Sequence, residues 1–110
     1  MNIAQIAKMA QQMQSQVAQA QDELKETTLE ATAGGGAIRV VITGAGEMRA
    51  IEIDPSAVDP AEVEMLQHLV LAAVNDAITR AKELERERMG RIAGGLGLPG
   101  MPGLPGLSTR

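Results

Sequence analysis

The densest concentration of chemically capable side chains in this sequence is a run of cations. Arg80, Lys82, Arg86, Arg88 and Arg91 fall within twelve residues, interleaved with Glu83, Glu85 and Glu87. Guanidinium and ammonium groups carry fixed positive charge and several donors, so a cluster of them suits the acceptor oxygens of phosphates. At about 100° per residue on a helix, Arg80, Arg88 and Arg91 share one quadrant, and Lys82 and Arg86 form a second pair. Two further lysines, Lys8 and Lys25, stand far upstream. The competing reading is local neutralisation at helical spacing, with Glu83 on Arg86, Glu85 on Arg88 and Glu87 on Arg91.

Other constellations carry less. Asp54, Asp59, Glu62, Glu64 and Asp76 are oxygen ligands of the type that Mg²⁺ takes. Asp59, Glu62 and Glu64, however, stand where a helix start places acids as caps and dipole partners. His68 is the single histidine, so no paired imidazoles exist to hold a zinc ion. Ser15, Ser56 and Ser108 have no local base, and the glycine turns lack the Lys-Ser/Thr of a phosphate-cradling loop. The chain has no Cys, which excludes disulfides, thiolate metal sites and thiol nucleophiles. It has no Phe, Tyr or Trp either, so it cannot stack bases or build an aromatic cage. No catalytic residue, metal, cofactor or small-molecule substrate is expected.

The net charge of −4 opposes a polyanion partner, yet its distribution is uneven. Residues 26–60 carry six acids against Arg39 and Arg49, whereas the last thirty carry five bases against three acids. Screening cuts charge interactions off beyond about 8–10 Å, so a local basic region can act despite acid elsewhere.

Three kinds of element must position these groups. Residues 2–26 contain neither Gly nor Pro and are rich in Ala, Gln and Met, which predicts a helix. Ile3, Ala10, Val17 and Leu24 at one heptad position and Ile6, Met13 and Ala20 at another give a narrow coiled-coil seam. Alternating runs at 27–33, 37–43 and 48–54 read as strands, separated by Gly34-Gly35-Gly36 and by Gly44-Ala45-Gly46-Glu47. A three-stranded antiparallel meander follows, with Ile38, Val40 and Ile42 on a face that needs a cover. Asp59, Pro60 and Glu62 mark the start of a second helix running to about Met89. Leu66, Leu69, Val70, Ala73, Val74, Ala77, Ile78, Ala81 and Leu84 give that helix a wide stripe to lay on the sheet. Of the 22 residues from Met89 onward seven are Gly and three are Pro, so one α+β domain is expected over 1–93 and a flexible, disordered Gly/Leu/Pro tail over 94–110. The longest apolar run, Leu69 to Val74, is far short of the about 20 residues of a membrane span, and no secretion signal is evident; a cytoplasmic protein is expected.

The stretches Gly34-Gly35-Gly36, Gly44-Ala45-Gly46-Glu47, Ile51-Glu52-Ile53-Asp54-Pro55 and Leu69-Val70-Leu71-Ala72-Ala73-Val74-Asn75-Asp76-Ala77, in this order and spacing, resemble the YbaB/EbfC family of bacterial nucleoid-associated proteins. The Met/Gln-rich opening helix fits as well. The resemblance implies a helix, three strands and a helix, assembled as a homodimer with projecting helices. It also implies binding to double-stranded DNA in the nucleoid with relaxed sequence preference, and no catalysis. A homodimer is independently expected from a thin, aromatic-free core. Arg80, Lys82, Arg86, Arg88 and Arg91 are the expected DNA contacts, with Lys8 and Lys25 secondary. The alternative is a coiled-coil protein-binding module or prefoldin-like holdase, whose second helix would carry a narrow seam matching the first.

Overall fold

The computed structural model describes residues 2–95. Helix α1 spans Ile3–Glu26 and opens with a capping box: the Asn2 side chain accepts from the Gln5 N–H at 2.8 Å while the Gln5 side chain accepts from the Asn2 N–H. Its seam is buried only near its end, at Ala20 and Leu24, while Ile3 is 84% and Ile6 52% exposed. Thr27 ends the helix, its hydroxyl donating to the Glu23 carbonyl.

Strands β1 (Thr28–Ala33), β2 (Ile38–Thr43) and β3 (Met48–Ile53) form the antiparallel meander in the order β1-β2-β3. The β1–β2 turn takes Gly34, Gly35 and Gly36 through three successive positive φ values of 64°, 68° and 96°, a path that only glycine follows without strain. Val41 pairs with Ala50 but Ile42 with Met48, so Arg49 is the extra residue of a bulge in β3.

Two 3-10 turns, Pro55–Ala57 and Pro60–Glu62, lead into helix α2 at Val63–Gly95. Asp59 caps the second turn, accepting from the Ala61 N–H at 2.9 Å. Helix geometry thus begins three residues after Pro60 and continues through Gly94 and Gly95. The remainder of the sequence-predicted tail, residues 96–110, lies outside the described residues. No helix among the described residues is long and apolar enough to cross a membrane.

The core is Ala31, Ile38, Val40 and Ile42 of the sheet against Ala73, Ala77 and Ala81 of α2. Alanine every fourth residue gives α2 a flat ridge that lets its backbone lie close to the sheet, and the larger Leu66, Leu69, Val70, Val74 and Ile78 flank that ridge. The wide stripe is therefore spent on the sheet, as in the meander-plus-cover reading and unlike a prefoldin-type seam. Coverage is uneven. Helix α2 packs on β1 and β2 and barely reaches β3. Ile51 and Ile53, which pair with Val40 and Ile38 and share their face, are left 48% and 39% exposed.

On the opposite face Arg39 bridges three strands, ion-paired to Glu30 of β1 and, at 2.9 Å, to Glu52 of β3. The hydrogen bond from Arg39 holds the Glu30 carboxyl below its ordinary pKa, and the same bond is the main cause that raises Arg39. The Ser56 backbone N–H and hydroxyl likewise lower Asp54.

Gly44 lets α1 dock. A Cβ there would stand 2.8 Å from Leu24 Cδ2, 3.1 Å from the Leu24 carbonyl oxygen and 3.2 Å from Leu84 Cδ2. The leucine methyl can turn aside, but the carbonyl belongs to the last turn of α1 and cannot. Gly44→Ala is expected to lower stability by about 1–3 kcal/mol through overpacking, read as a fall in melting temperature with the loss concentrated in α1 protection. An unchanged melting temperature would show that α1 is not seated on this turn.

Candidate nucleic-acid interface

Beyond Leu84 the second helix leaves the sheet and runs beside α1 in the opposite direction. Two contacts set the register: Leu24 and Leu84 meet over Gly44, and Arg88 Nη1 lies 3.6 Å from Glu23 Oε1. The sequence-predicted cations are spread along both helices, Arg80 and Lys82 where α2 still covers the sheet, Arg86, Arg88 and Arg91 beyond Leu84, and Lys8 and Lys25 on α1, and their states differ.

Arg80 donates through Nε to Asp76 Oδ2 at 3.0 Å, one turn earlier on α2. Arg91 pairs with Glu87 at 3.4 Å. Lys25 is 3.9 Å from Asp22. Arg88 turns toward α1, its side chain only 27% exposed, into a cleft lined by Gln19, Asp22, Glu23, Glu26 and Thr27. Of the three local pairs considered from sequence, Glu87 with Arg91 forms; Arg86 and Arg88 find no partner on their own helix among the described residues.

Lys82, Arg86 and Lys8 are exposed, and among the described residues none has a carboxylate within 4.0 Å. Lys82 and Arg86 stand one turn apart, about 6 Å along the axis, on the side of α2 turned away from the buried alanines. Lys82 also edges a shallow concavity with Gly44, Ala45, Gly46, Ile78 and Ala81, and Glu85 shares that rim. Lys8 lies on α1 about 22 Å farther out than Glu23, beside Gln5, Met9 and Gln12.

An arginine already paired to a carboxylate presents a dipole to a distant phosphate, and its net attraction dies off quickly; the field of an unpaired cation falls off more slowly, screened over about a Debye length. By that criterion the cations left open to an anion among the described residues are Lys82, Arg86 and Lys8, the first two beside Glu83 and Glu85, which are exposed and unpaired as well. Three of the five acids considered as metal ligands have other partners: Asp54 and Asp59 accept from turn N–H groups and Asp76 from Arg80. Among the described residues no three such groups converge.

The sequence model of the YbaB/EbfC DNA-binding family matches residues 1–96, all but the last fourteen positions. The chain belongs to this family. Its relatives include a nucleoid-associated protein of Acetivibrio thermocellus, 52% identical over 96 residues that cover 87% of this chain and 85% of the relative. One from Chloroflexus aurantiacus is 52% identical over 87% of this chain and 96% of its own, and one from Nocardia farcinica is 49% identical over 89% of each. An uncharacterized Helicobacter pylori protein of known crystal structure has the same fold, with a TM-score of 0.78 at 24% identity over 86% of this chain and 99% of that one.

For a YbaB/EbfC chain, two features stay hidden in one dimension. Glu23 is Arg88's partner across 65 positions, and no local spacing signals such a pair. The exposure of Ile51 and Ile53 depends on which two of three strands α2 covers, which the stripe on α2 does not reveal.

Proposed function

We propose that this chain acts as a homodimeric nucleoid-associated protein that binds double-stranded DNA mainly through phosphate contacts. Sequence preference is relaxed, and binding alters DNA conformation and, through it, gene expression. The family and the names of its relatives support DNA as the partner and the cytoplasmic nucleoid as the place. No catalytic step, cofactor or small-molecule substrate enters this reading.

The observation that carries it at residue level is the pair Lys82 and Arg86, exposed and unpaired among the described residues on a helix whose other arginines are neutralised. Exposed cations without a carboxylate partner can take a phosphate oxygen without first breaking an ion pair. With Lys8 they number three per protomer, or six per dimer. No aromatic wedge is available to unstack bases, so contacts to the backbone dominate and specificity is low.

A homodimer is supported by the mostly apolar trough between β3 and α2, lined by Ile53, Leu66, Val70, Leu71 and Val74 with Gln67. A second copy is the occupant that a free β3 edge and an uncharged trough fit best. A salt titration tests the reading. If about 4–6 phosphates are neutralised per dimer, the logarithm of affinity is expected to fall against the logarithm of salt with a slope of roughly −4 to −5, alike for unrelated duplexes. A flat salt dependence, or strong discrimination between duplexes, overturns it.

A further inference from the structure

We infer that Arg88 is a positioning residue that braces α1 against α2, and that it serves DNA binding by fixing the angle of the arm. The functional half of this inference rests on the DNA-binding reading above.

The cleft around Arg88 is acidic. Asp22, Glu23 and Glu26 line it, and the neighbouring Lys25 lies 3.9 Å from Asp22. The last turn of α1 adds the partial negative charge of a helix C-terminus at the same place. A phosphate entering there meets more negative than positive charge within a few ångströms, where Coulomb terms are large. Arg88 is thus poorly placed to reach DNA and well placed to offset the α1 carboxylates. Its ion pair joins helices 65 positions apart, and among the described residues it is the single salt bridge between α1 and α2. Glu23 stands between Ala20 and Leu24, the two buried residues of α1.

The arm makes this brace consequential. Helix α1 is buried at its base and exposed at its start, where Ile3 is 84% and Ile6 52% accessible. Lys8 lies about 22 Å beyond Glu23, so a change of 10° at the base swings it by about 4 Å. That is enough to carry it out of hydrogen-bond reach of a phosphate while Lys82 and Arg86 stay in place.

Amide hydrogen exchange of α1 and duplex affinity by gel shift, measured on the full chain, test the inference together. Glu23→Ala, which keeps helix propensity, is expected to speed α1 exchange about two- to fivefold, the range of one exposed pair, and to weaken DNA binding two- to threefold. Arg88→Glu is expected to speed exchange about tenfold, since four carboxylates then share the cleft. The double exchange Glu23→Arg with Arg88→Glu is expected to restore α1 protection and affinity. Tighter DNA binding by Glu23→Ala with unchanged exchange would mean that Arg88, once freed, contacts phosphate, and the brace is wrong. A doubly exchanged variant as deprotected as Arg88→Glu also overturns it. If the parent chain does not bind duplex, the DNA reading fails separately and the exchange measurements still decide the brace.

Discussion

With Lys82 and Arg86 both replaced by Glu, duplex binding at 0.1 M salt is expected to fall about a thousandfold, below detection in a gel shift. Each phosphate contact contributes about 0.9 to the log–log salt slope through counterion release, and at 0.1 M that is nearly a factor of ten in affinity. Four contacts per dimer are removed, so the slope flattens by about 3 to 4 at the same time. Both positions are exposed and off the alanine ridge, so helical content and dimer mass are expected to be unchanged. The matched reversal of Arg80 and Arg91 is the informative control. These two are already neutralised by Asp76 and Glu87, and their loss is expected to cost at most about tenfold. Equal losses in the two double variants would mean that the whole of α2 faces DNA and that ion pairing in the free protein does not sort contacts. Full binding by the Lys82/Arg86 variant would move the surface to α1, around Lys8.

Local patterns carried most of the fold. Asn2 through Glu26 read as a helix because nothing in it breaks one, the three glycines at 34–36 read as a hairpin because three positive φ values require them, and Asp59-Pro60 read as a helix entry. Each is decided within a few residues. The state of each cation was not legible, because pairing depends on which rotamers and which neighbouring helix bring a carboxylate near. Arg80 and Arg88 lie in one quadrant of an ideal helix, yet one turns back along α2 and the other across to α1. The fate of the α1 seam was legible only in part. Its narrowness fits a single neighbour, but burial at Ala20 and Leu24 and exposure at Ile3 follow from where the sheet ends and α2 passes, a property of three elements together.

Converting Ile53 to Lys and Leu71 to Glu in one chain is expected to split the proposed homodimer. Sedimentation at micromolar concentration then gives 11.5 kDa in place of twice that mass. The reason is the mismatch between α2 and the sheet. Ile53 and Leu71 line one trough and keep 39% and 58% of their surface exposed in the protomer, so neither substitution disturbs the core formed by Ile38, Val40, Ile42 and the alanine ridge. Full burial of such a side chain is worth about 1.5–3 kcal/mol, and burying the remaining half at four positions, two per protomer under two-fold symmetry, contributes about 3–6 kcal/mol. At 1.4 kcal/mol per factor of ten, dissociation rises by about 10² to 10⁴ before the cost of burying new charge is added. Ile3→Gln with Ile6→Gln, on the free arm, is expected to leave the mass unchanged and so separates the two exposed apolar surfaces. If the arm variant dissociates and the trough variant does not, α1 holds the protomers together instead. The trough variant also tests the link from assembly to binding: Lys82, Arg86 and Lys8 are intact in it, but a monomer offers half the contacts, so its salt slope is expected to halve and its affinity to fall accordingly.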